Sequence, residues 1–182
     1  MSSSGPAGDD HTATYFADID GDGRDEIISL RMRGENAGEI WAWHNNKGIA
    51  TDTYNTGPVP IGRGWDTMLP FNIYFADLTG DGRDEIISLR LDGEIWAWRN
   101  VNGAYTAGYT VIGRGWTEEY GWQVKFGDVD NDGRAELIST LNGAVRAWRN
   151  TKGLTPDSYA GSPVTIATGF NGADTYFAEI VP

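Results

Sequence analysis

The segment YFADIDGDGRDEI, beginning at Tyr15, returns as YFADLTGDGRDEI from Tyr74 and as VKFGDVDNDGRAEL from Val124. Its opening alone, YFAEI, comes back once more from Tyr176. Phe16, Phe75, Phe126 and Phe177 therefore stand 59, 51 and 51 residues apart. A repeat of this period restricts the chain to arrays in which each unit buries its apolar face against the next.

The grammar inside each unit fixes what is being stacked. After the acidic stretch comes EIISL (Glu26–Leu30, Glu85–Leu89) or ELIST (Glu136–Thr140), rich in β-branched residues. A tight turn follows, Asp92-Gly93 or Asn142-Gly143, of the kind that closes hairpins, and leads into EIWAW or AVRAW. A second turn ends at Gly48, Gly103 or Gly153, and a fourth stretch reads PVPIGRGW, YTVIGRGW or PVTIATGF. No window carries apolar residues at sustained helical spacing. The reading is all-β: four short antiparallel strands per unit joined as a meander, which is a β-propeller blade. Residues 1–14 are expected to form an N-terminal tail, 15–73, 74–123 and 124–174 three blades, and 175–182 the first strand of a further blade. Closed propellers need about four to eight blades, so completion is expected through a homo-oligomer or as part of a longer propeller.

The acidic stretches pose an electrostatic problem in a chain with 26 acids, 14 bases and a net charge of −12. In the first loop Asp18, Asp20, Asp22 and Glu26 occupy positions 1, 3, 5 and 9, and Arg24 offers its backbone carbonyl at position 7. The corresponding sets are Asp77, Thr79, Asp81, Arg83 and Glu85, then Asp128, Asp130, Asp132, Arg134 and Glu136. Alternate side chains of a tightly curled loop converge on one point, and converging hard oxygens suit Ca²⁺ better than Mg²⁺, which demands stricter octahedral geometry. About three Ca²⁺ per chain are expected, the second site weakest because Thr79 lacks a charge. The competing reading is a solvated acidic turn without metal. An EF-hand is excluded, since position 12 is Ser29, Ser88 or Ser139 inside a strand-like segment. Position 8 changes from Asp25 and Asp84 to Ala135 and reads as a bystander.

The pattern F-A-D-x-[DT]-G-D-G-R-D-E-I, followed by a hairpin, resembles the FG-GAP and VCBS repeat family from Tyr15 to Ile180. The resemblance implies a calcium-bearing propeller of the kind found in integrin α chains, fungal lectins and appendages of secreted microbial hydrolases. It implies metal ligands at the positions just named and an extracellular setting. Only the third unit keeps Phe126-Gly127, and no GAP tripeptide is present; the tryptophan-rich segments are closer to microbial and fungal variants. The opening MSSSGPAGDD has neither a basic patch nor an apolar run, so no signal peptide is read from it.

Function divides along the aromatic residues. Period-two geometry puts Trp41 with Trp43 on one sheet face and Ile40 with Ala42 on the other, so the third-strand rings are mostly expected between blades. The identical IGRGW segments, with Arg63 and Trp65 and with Arg114 and Trp116, read either as a carbohydrate platform completed by Trp41 and Trp96 or as an Arg–Trp tie between blades. Trp122, in a segment without counterpart, is expected in an exposed loop. Glycan or glycoprotein is the expected partner, with a protein-interaction scaffold and an accessory domain of a secreted hydrolase as alternatives. Negative charge disfavours nucleic acid, and no apolar run is long enough for membrane insertion. No cysteine, nucleophile elbow or phosphate loop supports an enzyme, and of the two histidines His11 is near the terminus while His44 aligns with Arg99 and Arg149.

Overall fold

A computed structural model of the chain describes residues 12–33, 36–65, 73–105, 108–117 and 124–170. Trp122, His11 and the closing strand expected at 175–182 lie outside these residues. Among the described residues there are fourteen strands and no helix. The first sheet is β1 (Thr12–Ala17), β2 (Glu26–Arg31), β3 (Ile40–Trp43) and β4 (Val59–Gly62) in sequential antiparallel order. The second uses β5 (Ile73–Ala76), β6 (Glu85–Leu89), β7 (Ile95–Trp98) and β10 (Thr110–Gly113), with β8 (Asn100–Val101) and β9 (Ala104–Tyr105) forming a small extra hairpin between β7 and β10. The third is β11 (Val124–Gly127), β12 (Glu136–Leu141), β13 (Ala144–Trp148) and β14 (Val164–Thr168). These are the three expected blades. The first begins at Thr12, three residues inside the segment that repeat spacing assigns to the tail.

Period-two alternation sorts each strand between two junctions. Ile86 joins the core between the first and second blades with Ile19, Ile28, Ile40 and Trp98. Its neighbour Ile87 points the other way, into the core of Leu78, Ile95, Ile112 and Leu137 between the second and third. β6 is consequently buried along its whole length, whereas β2 alternates buried and half-buried. The inner strands β1, β5 and β11 meet through tilted ring pairs, Tyr15 with Phe75 at 5.3 Å and Tyr74 with Phe126 at 5.4 Å.

A second set of contacts ties blades together at the acidic loops. The Asp84 N–H donates to the Asp18 carbonyl and the Ala135 N–H to the Asp77 carbonyl, both at 2.7 Å. Asn100 Nδ2 reaches back to the Ile19 carbonyl at 2.9 Å, and Asn150 Nδ2 to the Leu78 carbonyl at 3.0 Å. Tyr105 and Tyr159 brace the arrangement, each donating its hydroxyl to the position-8 carbonyl of its own blade. Position 8, read as a bystander to the metal, thus has a structural part of its own. Its backbone N–H makes the blade junction, so a side chain as small as that of Ala135 is tolerated there.

Candidate functional site

The three acidic loops share one hydrogen-bond plan. At position 1 both carboxylate oxygens are engaged: Asp18 accepts from the N–H of Gly21 and Gly23, each at 2.7 Å. Asp77 does the same with Gly80 and Gly82, and Asp128 with Asn131 and Gly133. At position 5, Asp22, Asp81 and Asp132 accept the N–H of the arginine two residues on, at 2.9–3.1 Å. The guanidinium groups of Arg24, Arg83 and Arg134 fold back onto those same carboxylates.

Position 9 is the buried member. Glu26 accepts from the N–H of Ile19 and of Asn45, Glu85 from Leu78 and Asn100, and Glu136 from Val129 and Asn150. Each glutamate thereby ties the loop of its blade to the turn after the third strand. Burial raises the pKa of all three carboxyls above the usual range, that of Glu85 to about 7. Asp84, at position 8, accepts the Asp18 N–H at 3.1 Å. It is pushed up to about 8 by burial first and by the nearby Asp25 second.

The fit to a metal follows from the donor atoms that these bonds bring together. Asp18, Asp20 and Asp22 place carboxylate oxygens within 4.8 Å of one another, as do Asp128, Asp130 and Glu136. A further group joins Asp20 and Glu26 to His44, whose Nδ1 is 3.6 Å from Asp20. Among the described residues the second loop forms no such group; Thr79 stands there instead, its hydroxyl 3.5 Å from Asp77. Oxygen-rich donor sets of this kind suit Ca²⁺. In the third loop Arg149 contacts Asp130 at 2.8 Å, so a bound cation there would displace it.

The IGRGW tryptophans are placed differently from a ligand platform. Trp65 and Trp116 are buried, packed on Trp98 and Trp148 of the following blade with ring centroids 4.4 and 4.7 Å apart. The glycines clear space for these rings rather than for Arg63 and Arg114. A Cβ on Gly62 would meet the Trp65 indole nitrogen at 3.0 Å, and on Gly113 that of Trp116 at 2.9 Å. In the third unit both change together, to Ala167 and Phe170.

At the surface a different cluster assembles. Glu39 accepts the Trp41 indole N–H at 3.0 Å and lies 3.6 Å from the exposed Arg63. Glu94 likewise accepts from Trp96 at 2.8 Å and holds Arg114 at 3.3 Å. Arg31 sits over Trp41 and Arg90 over Trp96, at 5.7 and 4.0 Å. Trp96 is closed on its other face by Tyr109, stacked at 3.6 Å, so Tyr109 carries the exposed aromatic surface of that blade. In the third unit the set is replaced throughout, by Ala144, Arg146, Thr168 and Leu141. Sequence reading missed Glu39 and Glu94; their spacing two residues before each tryptophan, hence on the same strand face, was the available signal.

Fold and loops together define a repeat propeller whose blades carry acidic turns. The FG-GAP-like repeat profile matches residues 18–88 and 77–139, and the chain belongs to that family. Among curated proteins none matches. A lectin of Agrocybe aegerita, described as specifically recognising non-reducing terminal N-acetylglucosamine, superposes with a TM-score of 0.56 at 21% identity, over 88% of this chain and 39% of that one. The Tc holotoxin pore of Photorhabdus luminescens matches at 0.54 and 19% identity, over 75% of this chain and 6% of that one. The TcdB2–TccC3 complex matches at 0.56 and 18%, over 72% and 6%. The chain thus spans about two fifths of the lectin and a small part of each toxin component. Among the described residues no helix is long and apolar enough to cross a membrane.

Proposed function

We propose that the chain is a calcium-stabilised binding module that recognises carbohydrate. The observation carrying this reading is the duplicated Glu39–Trp41–Arg63 and Glu94–Trp96–Arg114 cluster, replaced as a unit in the third blade. Glu39 fixes the Trp41 indole and one edge of the guanidinium of Arg63, whose side chain stays 75% exposed, while Arg114 is held between Glu94 and Asp157. Beside an aromatic surface that combination suits the hydroxyls and apolar face of a sugar ring. Trp65 and Trp116 take no part, because they are packed between blades. The Agrocybe lectin supports the proposal as a propeller of similar fold that binds a glycan. When bound, Ca²⁺ would relieve repulsion among the loop carboxylates and hold each turn against its blade. Placement outside the cell and completion of the ring by further blades belong to the same proposal.

The test is tryptophan fluorescence against N-acetylglucosamine-terminated glycans and a broader glycan array, each with and without calcium. Saturable quenching that Arg63→Ala and Arg114→Ala weaken supports the proposal. Fluorescence indifferent to every sugar points to the protein-interaction scaffold instead.

A further inference from the structure

The two surface clusters share one plan but not one charge. In the second blade three carboxylates face two guanidinium groups. Asp92 holds Arg90 at 3.3 Å, Glu94 lies 3.3 Å from Arg114, and Asp157 of the third blade makes a further ion pair with Arg114. In the first blade the corresponding arginines, Arg31 and Arg63, share their cluster with one carboxylate among the described residues, that of Glu39.

Each missing acid has its origin in the sequence. Gly38 and Glu39 correspond to Gly93 and Glu94, so Ala37 stands where the second blade has Asp92. The residues inserted into this turn include one base and one acid, Arg33 and Glu35, and leave the balance as it was. Asp157 lies in a stretch that only the third blade has: Tyr159 follows Gly153 by six positions, whereas Tyr105 follows Gly103 by two, so Arg63 has no counterpart of Asp157. The aromatic surface differs as well. Tyr109 stacks on Trp96, and Pro58 occupies its position in the first blade.

Register sets the first cluster apart from the acidic loop of its blade. Ile40 pairs with Leu30 and Gly62, so Glu39, Arg31 and Arg63 gather where β2 ends, whereas the loop leads into Glu26 at its start. Five steps along the strand at about 3.4 Å each separate the two by roughly 17 Å. The screening length at physiological ionic strength is about 8 Å, so the loop carboxylates repel an anion at this end only weakly.

We infer that the first-blade cluster takes the anionic group of an acidic saccharide, a carboxylate or a sulfate, with Arg63 as its main contact. The inference rests on the carbohydrate reading and divides its two clusters by charge. A guanidinium held at one edge offers its other N–H groups as a fork that matches two oxygens of such a group. Arg31 adds a second positive charge, and the half-buried Trp41 ring gives the apolar face of the same sugar a surface. The second cluster, with its excess of acid, repels that group and suits neutral rings.

The test uses matched sugars immobilised on a sensor, at saturating calcium and about 0.15 M salt. Glucuronate is paired with glucose, galacturonate with galactose, and 6-sulfated with plain N-acetylglucosamine. The wild type is expected to bind the acidic member of at least one pair about tenfold more tightly or better, the scale of hydrogen bonds to a charged group. A preference in the uronate pairs names the carboxylate and one in the sulfated pair the sulfate; either supports the inference. Arg63→Ala should abolish the preference, and Ala37→Asp, which supplies the second blade's acid, should lower it. Arg99→Ala removes the same charge at an exposed position outside both clusters and should keep it. Circular dichroism melting checks that each variant is folded. Neutral sugars bound with no acidic preference, or a preference that Arg63→Ala and Arg99→Ala lower alike, overturn the inference and leave the carbohydrate reading standing. Indifference to every probe overturns both.

Discussion

Replacing Trp116 by alanine separates packing from recognition at the IGRGW segment. The ring is 6% exposed, sits in the core between the second and third blades, and meets Trp148 nearly edge-on at 76°. Truncating a buried tryptophan costs about 3–5 kcal/mol, since the transfer energy is lost and a cavity remains. For a chain of this size about 1 kcal/mol moves the melting temperature by ~2–4 °C, which places the expected loss at roughly 6–20 °C. The assay is far-UV circular dichroism melting at fixed protein and saturating calcium, with Leu91→Ala as control because Leu91 is exposed. The control should stay within about 0.5 kcal/mol of wild type. If Trp116→Ala melts with the control and loses only sugar binding, the packing assignment is wrong and the platform reading returns.

Asn150→Ala leaves the buried Leu78 carbonyl without its donor and should cost about 1–3 kcal/mol in urea unfolding; an unchanged midpoint would deny the inter-blade bond its role. Gly113→Ala forces a Cβ against the Trp116 indole and should destabilise, whereas Gly113→Ala with Trp116→Phe, which imitates the third unit, should be less damaging than the sum of its parts. Strictly additive double-mutant melts would argue against that coupling. Asp84 has a folded pKa of about 8, above the unfolded carboxylate value, so the unfolded state releases its proton first and stability falls as pH rises from about 4 to about 8. In chelator, Asp84→Asn should flatten that decline between pH 5 and 8; parallel pH profiles for the two proteins would refute it.

Blade number and strand order were legible because they rest on local signals: the repeat itself, β-branched runs, and Asp-Gly or Asn-Gly at the hairpins. What escaped the sequence depends on a neighbouring blade. The change from Asp84 to Ala135 looks like neglect within one unit, yet the backbone N–H at both positions bonds the preceding blade's loop, and at Asp84 the carboxylate adds a second bond, from the Asp18 N–H. The first glycine of IGRGW signals a close approach, but only the fold shows that the approaching group is the tryptophan three residues on. Position 9 was legible as special, since glutamate stands there in every loop. Its pair of backbone bonds, to residue 2 of the loop and to the asparagine after the third strand, needed three dimensions to see. The small β8–β9 hairpin gave no prior signal beyond Gly103.

The account turns on the acidic loops holding calcium. Isothermal titration of chelator-stripped protein with CaCl₂ measures this directly, in the same buffer in which melting is followed. The account predicts binding of about three ions per chain, the weakest assigned by a further loss of heat in Thr79→Ala, with a higher melting temperature once the loops are filled. No heat of binding, together with a melting temperature indifferent to both calcium and EDTA, would contradict it.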